Sequence, residues 1–167
     1  MAYELIETIE VGASGVTSIE FTSIPQDGKD LVILTSLRGV GGSGSDLPFN
    51  IEFNGTTTDR NAVFVYTINN TSIFSSTSTS YQARGITSND AGSDIYGMAQ
   101  IYITNYASTG KKPIAIESTG ENDNANTGRS LTSASYAGTS GISQIAMNTL
   151  GTTNLKQYST ASIYKIY

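Results

Sequence analysis

The sequence predicts an all-β fold, in the form of an antiparallel two-sheet β-sandwich. The 167 residues are rich in Thr, Ile, Val and Tyr, which suit pleated, half-buried sheet surfaces. Ser and Thr contribute 22 residues each and Gly another 17, and all three weaken helix interiors. Apolar residues alternate with polar ones in roughly ten short segments, whereas no window shows the i, i+3, i+4, i+7 spacing of an amphipathic helix. A barrel is the alternative that this pattern leaves open.

The predicted strands are separated by turns rich in Gly, Asn and Asp. They cover residues 4–11, 16–24, 30–38, 49–53, 61–68, 81–86, 94–105, 111–118, 131–137, 142–150 and 159–167. Asn54-Gly55 predicts a hairpin turn. Residues 69–80 are predicted to form a long loop or a weak edge strand, and residues 120–129 a polar loop. The predicted core contains Phe21, Ile33, Phe53, Ile101 and Ile103.

The length suits a single domain over residues 1–167, with a core that needs no metal or disulfide. The first predicted strand begins close to Met1 and the last ends at Tyr167, so we expect a complete protein. The N-terminus has neither a basic nor an apolar region, and a signal peptide is not expected. Apolar runs are too short for a transmembrane helix.

Charge argues against nucleic acid and anionic membranes as partners. The net charge is −5, the pI is near 4.5, and only 14% of residues are charged. The nine basic residues are scattered, with Lys111-Lys112 as the one adjacent pair. Phosphate backbones are bound by clustered Lys and Arg, and the sequence has no such cluster.

The composition also restricts catalysis. The chain contains no His and no Cys, which excludes Ser-His-Asp and Cys-His nucleophiles and any zinc site built on those ligands. No nucleotide-binding glycine motif is present. A glycosidase with paired carboxylates is the enzymatic alternative, because both of its catalytic groups can be Asp or Glu. We nevertheless expect a non-enzymatic protein without a cofactor.

Two acidic-amide loops are weak candidates for a calcium site. One contains Asp90 and Asp94, and the other Glu121 and Asp123, each beside Asn residues. Carboxylate and amide oxygens are ligands for hard cations, so any bound ion should be Ca²⁺ or Mg²⁺. Neither loop has the spacing of an EF-hand, and hydrated surface turns are the ordinary explanation of such loops.

Two of the ten tyrosines are candidates for an interface or a ligand contact. Tyr106 and Tyr136 border predicted loops, where an aromatic ring with a polar tip can stack on a surface glycan or on a neighbouring subunit. Half-burial on a strand is the alternative explanation for both.

Several segments resemble, in order, a group of small virion structural proteins of tailed marine and cyanobacterial phages. They are IEFTSIPQ (19–26), KDLVILTSLR (29–38), FNIEFNG (49–55), IYITNYA (101–107) with Lys112 following, ISQIAM (142–147) and STASIY (159–164). Residues 26–29 depart from the group, which usually has a Thr-Tyr-Thr stretch there, and this difference affects one loop.

The resemblance implies a jelly-roll-like β-sandwich exposed on the virion and carries no catalytic residues. We therefore expect a capsid decoration (cement) protein that is made in the host cytoplasm and binds between subunits of the major capsid protein. The resemblance also implies a homo-oligomer, with a trimer favoured over a dimer. A tail-fibre, receptor-binding or carbohydrate-binding module is the alternative. The low surface charge suits a protein that packs against copies of itself.

Overall fold

The computed structural model of the protein describes residues 2–41, 47–56, 60–68, 72–89, 91–121, 127–150 and 154–167. In these residues it contains thirteen β-strands and no helix, and hence no helix suited to crossing a membrane. The strands are β1 (Tyr3–Glu10), β2 (Ser18–Phe21), β3 (Asp30–Val40), β4 (Leu47–Phe53), β5 (Arg60–Ile68), β6 (Ser72–Ser78), β7 (Tyr81–Thr87), β8 (Gly97–Ile103), β9 (Lys112–Glu121), β10 (Thr127–Tyr136), β11 (Ile145–Thr149), β12 (Asn154–Leu155) and β13 (Thr160–Ile166). The predicted all-β fold is confirmed.

The strands form one continuous, mixed sheet, in contrast to the two separate antiparallel sheets expected from the sequence. Its order is β2-β11-β4-β7-β3-β8-β9-β10-β5-β6, and β13 pairs with β3 and carries β1 on its other side. The pairings are antiparallel except for a short parallel ladder between β3 and β7. Period-two alternation identifies a half-buried strand, but it carries no information about which strand is its neighbour.

The sheet divides at the end of β3, and this explains how one sheet makes two layers. β8 pairs with β3 as far as Leu37, where β7 joins at Leu37 and Arg38. Two glycines allow β7 and β8 to cross in contact at this point. A Cβ on Gly85 would lie 2.6 Å from the Met98 carbonyl oxygen, and a Cβ on Gly97 would lie 2.5 Å from that of Gly85. Backbone atoms cannot move far enough to relieve contacts this short, so both positions require glycine.

Beyond this division, β2, β11, β4 and β7 form a wing that folds over the inner side of β8, β9 and β10. Phe53 on β4 lies between Tyr81 of its own wing and Tyr136 on β10, with ring centroids 5.3 and 5.4 Å apart. Tilted aromatic pairs at this separation add to the stabilisation from apolar burial. The five residues predicted for the core, Phe21, Ile33, Phe53, Ile101 and Ile103, are all fully buried, as predicted.

Small hydroxyl side chains line the inner side where β7 crosses β9 and β10. The pairing of β4 with β7 shifts register between Leu47 and Phe49. At the shift, the Arg84 backbone N–H points to Ser118 Oγ (3.0 Å) and Ser130 Oγ (3.3 Å). Thr132 Oγ1 donates to the Gln82 carbonyl oxygen at 3.0 Å. Buried backbone polar groups need partners, and here side chains of the opposite layer supply them.

A buried lysine joins β1 and the loop after β2 to β13. Lys165 Nζ lies 2.9 Å from Asp27 Oδ2 and 3.3 Å from Glu4 Oε1. Tyr167 Oη also donates to Glu4 at 2.7 Å. The hydrogen bonds from Tyr167 and Lys165 lower the pKa of Glu4, and the hydrogen bond from Lys165 lowers the pKa of Asp27. The two carboxylates are therefore held in their charged form.

Most strands differ from their predicted bounds by a few residues, and two regions predicted wholly or partly as loops contain strand. β6 is a seven-residue edge strand within the region assigned to a long loop or a weak edge. β9 continues to Glu121 and β10 begins at Thr127, so strand ends occupy part of the predicted polar loop. A turn is present at Asn54-Gly55, with positive φ angles of 52° and 66°, but the predicted hairpin is wrong, because β4 pairs with β7 and β11 whereas β5 pairs with β6 and β10. Both angles suit the left-handed conformation that Asn and Gly adopt readily.

Candidate binding surface

The solvent-facing side of β3, β8, β9, β10 and β5, called here the outer face, carries apolar side chains in the open. Register places Leu34, Gln100, Glu117, Leu131 and Val65 in one row across these five strands. Leu131 is 61% exposed, and Leu34 and Val65 are each 42% exposed. Gln100 and Glu117 separate Leu34 from Leu131, which lies directly beside Val65. Clustered exposed aliphatic groups of this kind often mark a surface that meets a partner.

A second row parallel to the first consists of Val32, Tyr102, Ala115, Ser133 and Val63. Val63 is 54% exposed. Between the two rows lies a shallow depression of about 460 Å³, bordered by both valines of β5, Leu131 and Tyr102. The outer face thus combines exposed aliphatic groups with a broad, open groove.

Charge on the outer face of β8, β9, β10 and β5 is sparse. Among its described positions only Glu117, Glu121 and Arg129 are charged. Tyr102 Oη donates to Asp30 Oδ2 at 2.6 Å, and this hydrogen bond, followed by burial, raises the pKa of Tyr102 to about 12. The phenol therefore stays neutral, and its ring adds further apolar area to the groove.

Alternation along β10 is inverted relative to an ordinary half-buried strand. Ser130 and Thr132 face the core, whereas Leu131 between them faces solvent. The hydroxyls are needed inside because the backbone of β7 passes close by, as described above. Sequence reasoning placed a strand here and missed the surface. The signal that identifies it is a leucine between two hydroxyl residues, on a strand paired with β5, whose valines Val63 and Val65 are also exposed.

The structure places the two candidate tyrosines in the core. Tyr106 is fully buried, its Oη donates to the Pro25 carbonyl oxygen, and it accepts from the Gly28 N–H at 3.2 Å. Burial raises the pKa of this phenol. Tyr136 is 4% exposed, in contact with Phe53. Within a single copy of the chain, neither ring is at the surface where a glycan or a neighbouring subunit would reach it.

Tyr136 instead covers a buried cation. Lys112 Nζ lies 5.5 Å from the centroid of the Tyr136 ring and donates to the carbonyl oxygens of Gly110 (2.8 Å) and Gly138 (2.9 Å). Desolvation lowers the pKa of Lys112. These contacts connect the loop before β9 to the loop after β10. Lys112 and Tyr136 therefore have a structural role at this position.

The calcium candidates are only partly described. Asp90 and Asp123 lie outside the described residues, while Asp94 and Glu121 are both exposed. Pairing of Met98 with Thr119 places the last two at the same end of the β8–β9 hairpin. Within the described ranges, no group of three or more Asp or Glu side chains is arranged to hold a metal ion.

A buried arginine already uses backbone oxygens of the first of these loops. Arg38 is 2% exposed, and its guanidinium donates to the carbonyl oxygens of Ala91 (2.9 Å), Ile95 (3.0 Å) and Gly92. Main-chain carbonyls of this kind are common calcium ligands. Here they converge on a guanidinium, which fixes the loop next to the start of β8.

The sequence matches no protein-family model and no curated protein at a significant level.

Proposed function

We propose that the protein is a non-enzymatic structural protein of a phage virion, which binds the major capsid protein through its outer face. The supporting observation is the outer face itself. At about 5 Å per strand and about 3.3 Å per residue, five strands of seven residues cover roughly 600 Å². Patches of several hundred Å² on a folded domain are commonly interaction sites. The resemblance of six segments to phage virion proteins is the basis for proposing a capsid protein as the partner.

The chemistry of the outer face suits a capsid surface better than a soluble polar ligand. Its exposed groups are mostly uncharged and include aliphatic side chains and the Tyr102 ring, and depletion of charge marks the central part of a protein–protein interface. Such a surface buries apolar area and leaves one central carboxylate, Glu117, for the partner to pair. Decoration between capsid subunits, after synthesis in the host cytoplasm, is therefore the role we assign. The three-fold symmetry implied by the resemblance is not needed for this role.

The test is binding of purified protein to particles that lack it. We expect Leu131→Asp to reduce occupancy at least about tenfold, because a carboxylate buried in an apolar interface without a partner costs more than 1.4 kcal/mol. Tyr158→Asp is the matched control, since Tyr158 is 62% exposed and lies between β12 and β13, where its N–H donates to the Val11 carbonyl oxygen, outside the strands of the outer face. Both variants should retain the far-UV circular dichroism spectrum of the parent protein.

Copy number separates this role from the alternative. A decoration protein is present at a number close to that of capsid subunits, whereas a tail-fibre or receptor-binding module is present in few copies. Equal occupancy of the Leu131→Asp and Tyr158→Asp variants would show that the outer face is not the binding surface. A low copy number together with binding to a glycan array would favour the receptor-binding alternative.

A further inference from the structure

β6 forms an edge of the sheet that is exposed on three sides. Among the described strands it pairs only with β5, and Ser72 through Thr77 are exposed on both faces of the strand. Ile73 is 77% exposed, and Phe74 stacks on Tyr66 with centroids 5.2 Å apart. The outer edge therefore presents backbone donors and acceptors with little side-chain cover.

Two other edge strands of the described sheet, β1 and β2, are protected in ways that β6 is not. β1 carries Glu4, Glu7 and Glu10 and has a register shift between Leu5 and Glu7. β2 has only four residues. Charges, irregular register and short length are the usual means by which proteins prevent edge strands from pairing with another chain.

β6 has none of these protections. Its sequence, SIFSSTS, contains no charge and no proline. Its register with β5 is unbroken from Ala62 opposite Ser78 to Ile68 opposite Ser72. Seven regular residues, a neutral sequence and an open edge make a surface suited to adding one further strand.

We propose that β6 pairs with β6 of a second copy of this chain, antiparallel, about a two-fold axis. Neutral strands meet without like-charge repulsion, whereas two copies of β1 would bring six glutamates together. Full overlap places Ser75 opposite Ser75 of the second copy and Ile73 opposite Thr77. This contact is isologous, so the assembly is closed after two copies. If β6 instead paired with a different edge strand of the second copy, each copy would keep an unpaired edge to which a further copy could add.

The size of the contact predicts its strength. A seven-residue strand is about 23 Å long, and pairing along one edge buries less than the roughly 800 Å² per partner of a standard interface. The dimer should be weak in dilute solution. On a surface that holds many copies close together, the effective concentration of the second β6 is high, and the same contact then contributes much more to binding.

Single cysteines provide the test, because the chain has none of its own. We expect Ser75→Cys to form disulfide-linked dimers at least about tenfold faster than Thr8→Cys under the same mild oxidant, since pairing raises the local thiol concentration. Thr8 is the matched control, an exposed hydroxyl residue on the edge strand β1. Equal rates would overturn the proposal.

A charge exchange tests the two-fold geometry independently of oxidation. Ser75→Lys and Ser75→Glu should each sediment as monomers at concentrations where the parent protein dimerises, and an equimolar mixture should recover dimers. A mixture that associates no better than its components, or a trimer that persists in Ser75→Lys, would overturn the proposal. The pairing does not involve the outer face, so Leu131→Asp should still dimerise whether or not it binds particles.

Discussion

Ser118 Oγ and Ser130 Oγ lie 2.6 Å apart on neighbouring strands, and both also face the Arg84 backbone N–H of the overlying wing. Two hydroxyls from one layer thus accept a hydrogen bond from the backbone of the other layer, at the position where the register between β4 and β7 shifts. This arrangement joins the two layers by hydrogen bonds in addition to apolar contacts.

The two serines should compensate for each other. Either Ser118→Ala or Ser130→Ala leaves one of these two acceptors for Arg84 N–H, so each should lower the free energy of unfolding by less than about 1 kcal/mol. The double variant removes both and should cost about 1–3 kcal/mol. Urea unfolding of the four proteins measures the coupling, and strictly additive losses would contradict a shared role.

Phe53 should be the most sensitive aromatic position in the wing. Phe53→Ala removes a fully buried ring in contact with two tyrosines and should cost about 3–5 kcal/mol. Phe74→Ala is the matched control, because Phe74 is 42% exposed and should cost no more than about 1 kcal/mol. Thermal and urea unfolding should rank the two variants in this order. The reverse order would contradict the packing.

Arg38 should control the loop before β8. Its planar guanidinium donates to three carbonyl oxygens, and the ammonium group of a lysine cannot make the same set of hydrogen bonds. We expect Arg38→Lys to lower the free energy of unfolding by about 2–3 kcal/mol. Hydrogen exchange should speed up at residues 91–95 and remain slow in β10. Unchanged exchange in the loop would show that other contacts hold it.

The ion pairs of Lys165 predict a loss of stability in acid. The folded-state pKa values of Glu4 and Asp27 lie below their ordinary values of 4.5 and 3.8. Their contribution is therefore complete above the ordinary values and disappears as the pH falls through the lowered ones. Glu4→Gln with Asp27→Asn should be less stable at neutral pH and should depend less steeply on pH below about 4.5. Parallel pH profiles for parent and variant would contradict this assignment.

Sequence reasoning predicted the strands and the core well because both depend on local alternation. Phe53 and Ile101 are apolar positions in clean period-two segments, and both are fully buried. The continuous sheet could not be predicted in the same way, since the division at Leu37 depends on which strands approach β3. Gly85 and Gly97, which permit that approach, have no distinctive local pattern.

The candidate surface was harder to predict than the core for a related reason. Leu131 looks like a core residue by composition, and its exposure follows from the close passage of β7 behind Ser130 and Thr132. Tyr106 and Tyr136 were singled out because they border loops. Both instead reach inward, where Tyr106 binds backbone groups and Tyr136 covers Lys112.

The position of β3 has a consequence during synthesis. Its buried, strongly apolar segment is the central strand of the sheet, yet β13, which covers one of its edges, is translated long after it. Until then that edge is available to a neighbouring nascent chain, which is the usual origin of aggregation in sheets with distant pairings. Expression at low temperature, which weakens hydrophobic association between incomplete chains, should therefore raise the yield of native protein.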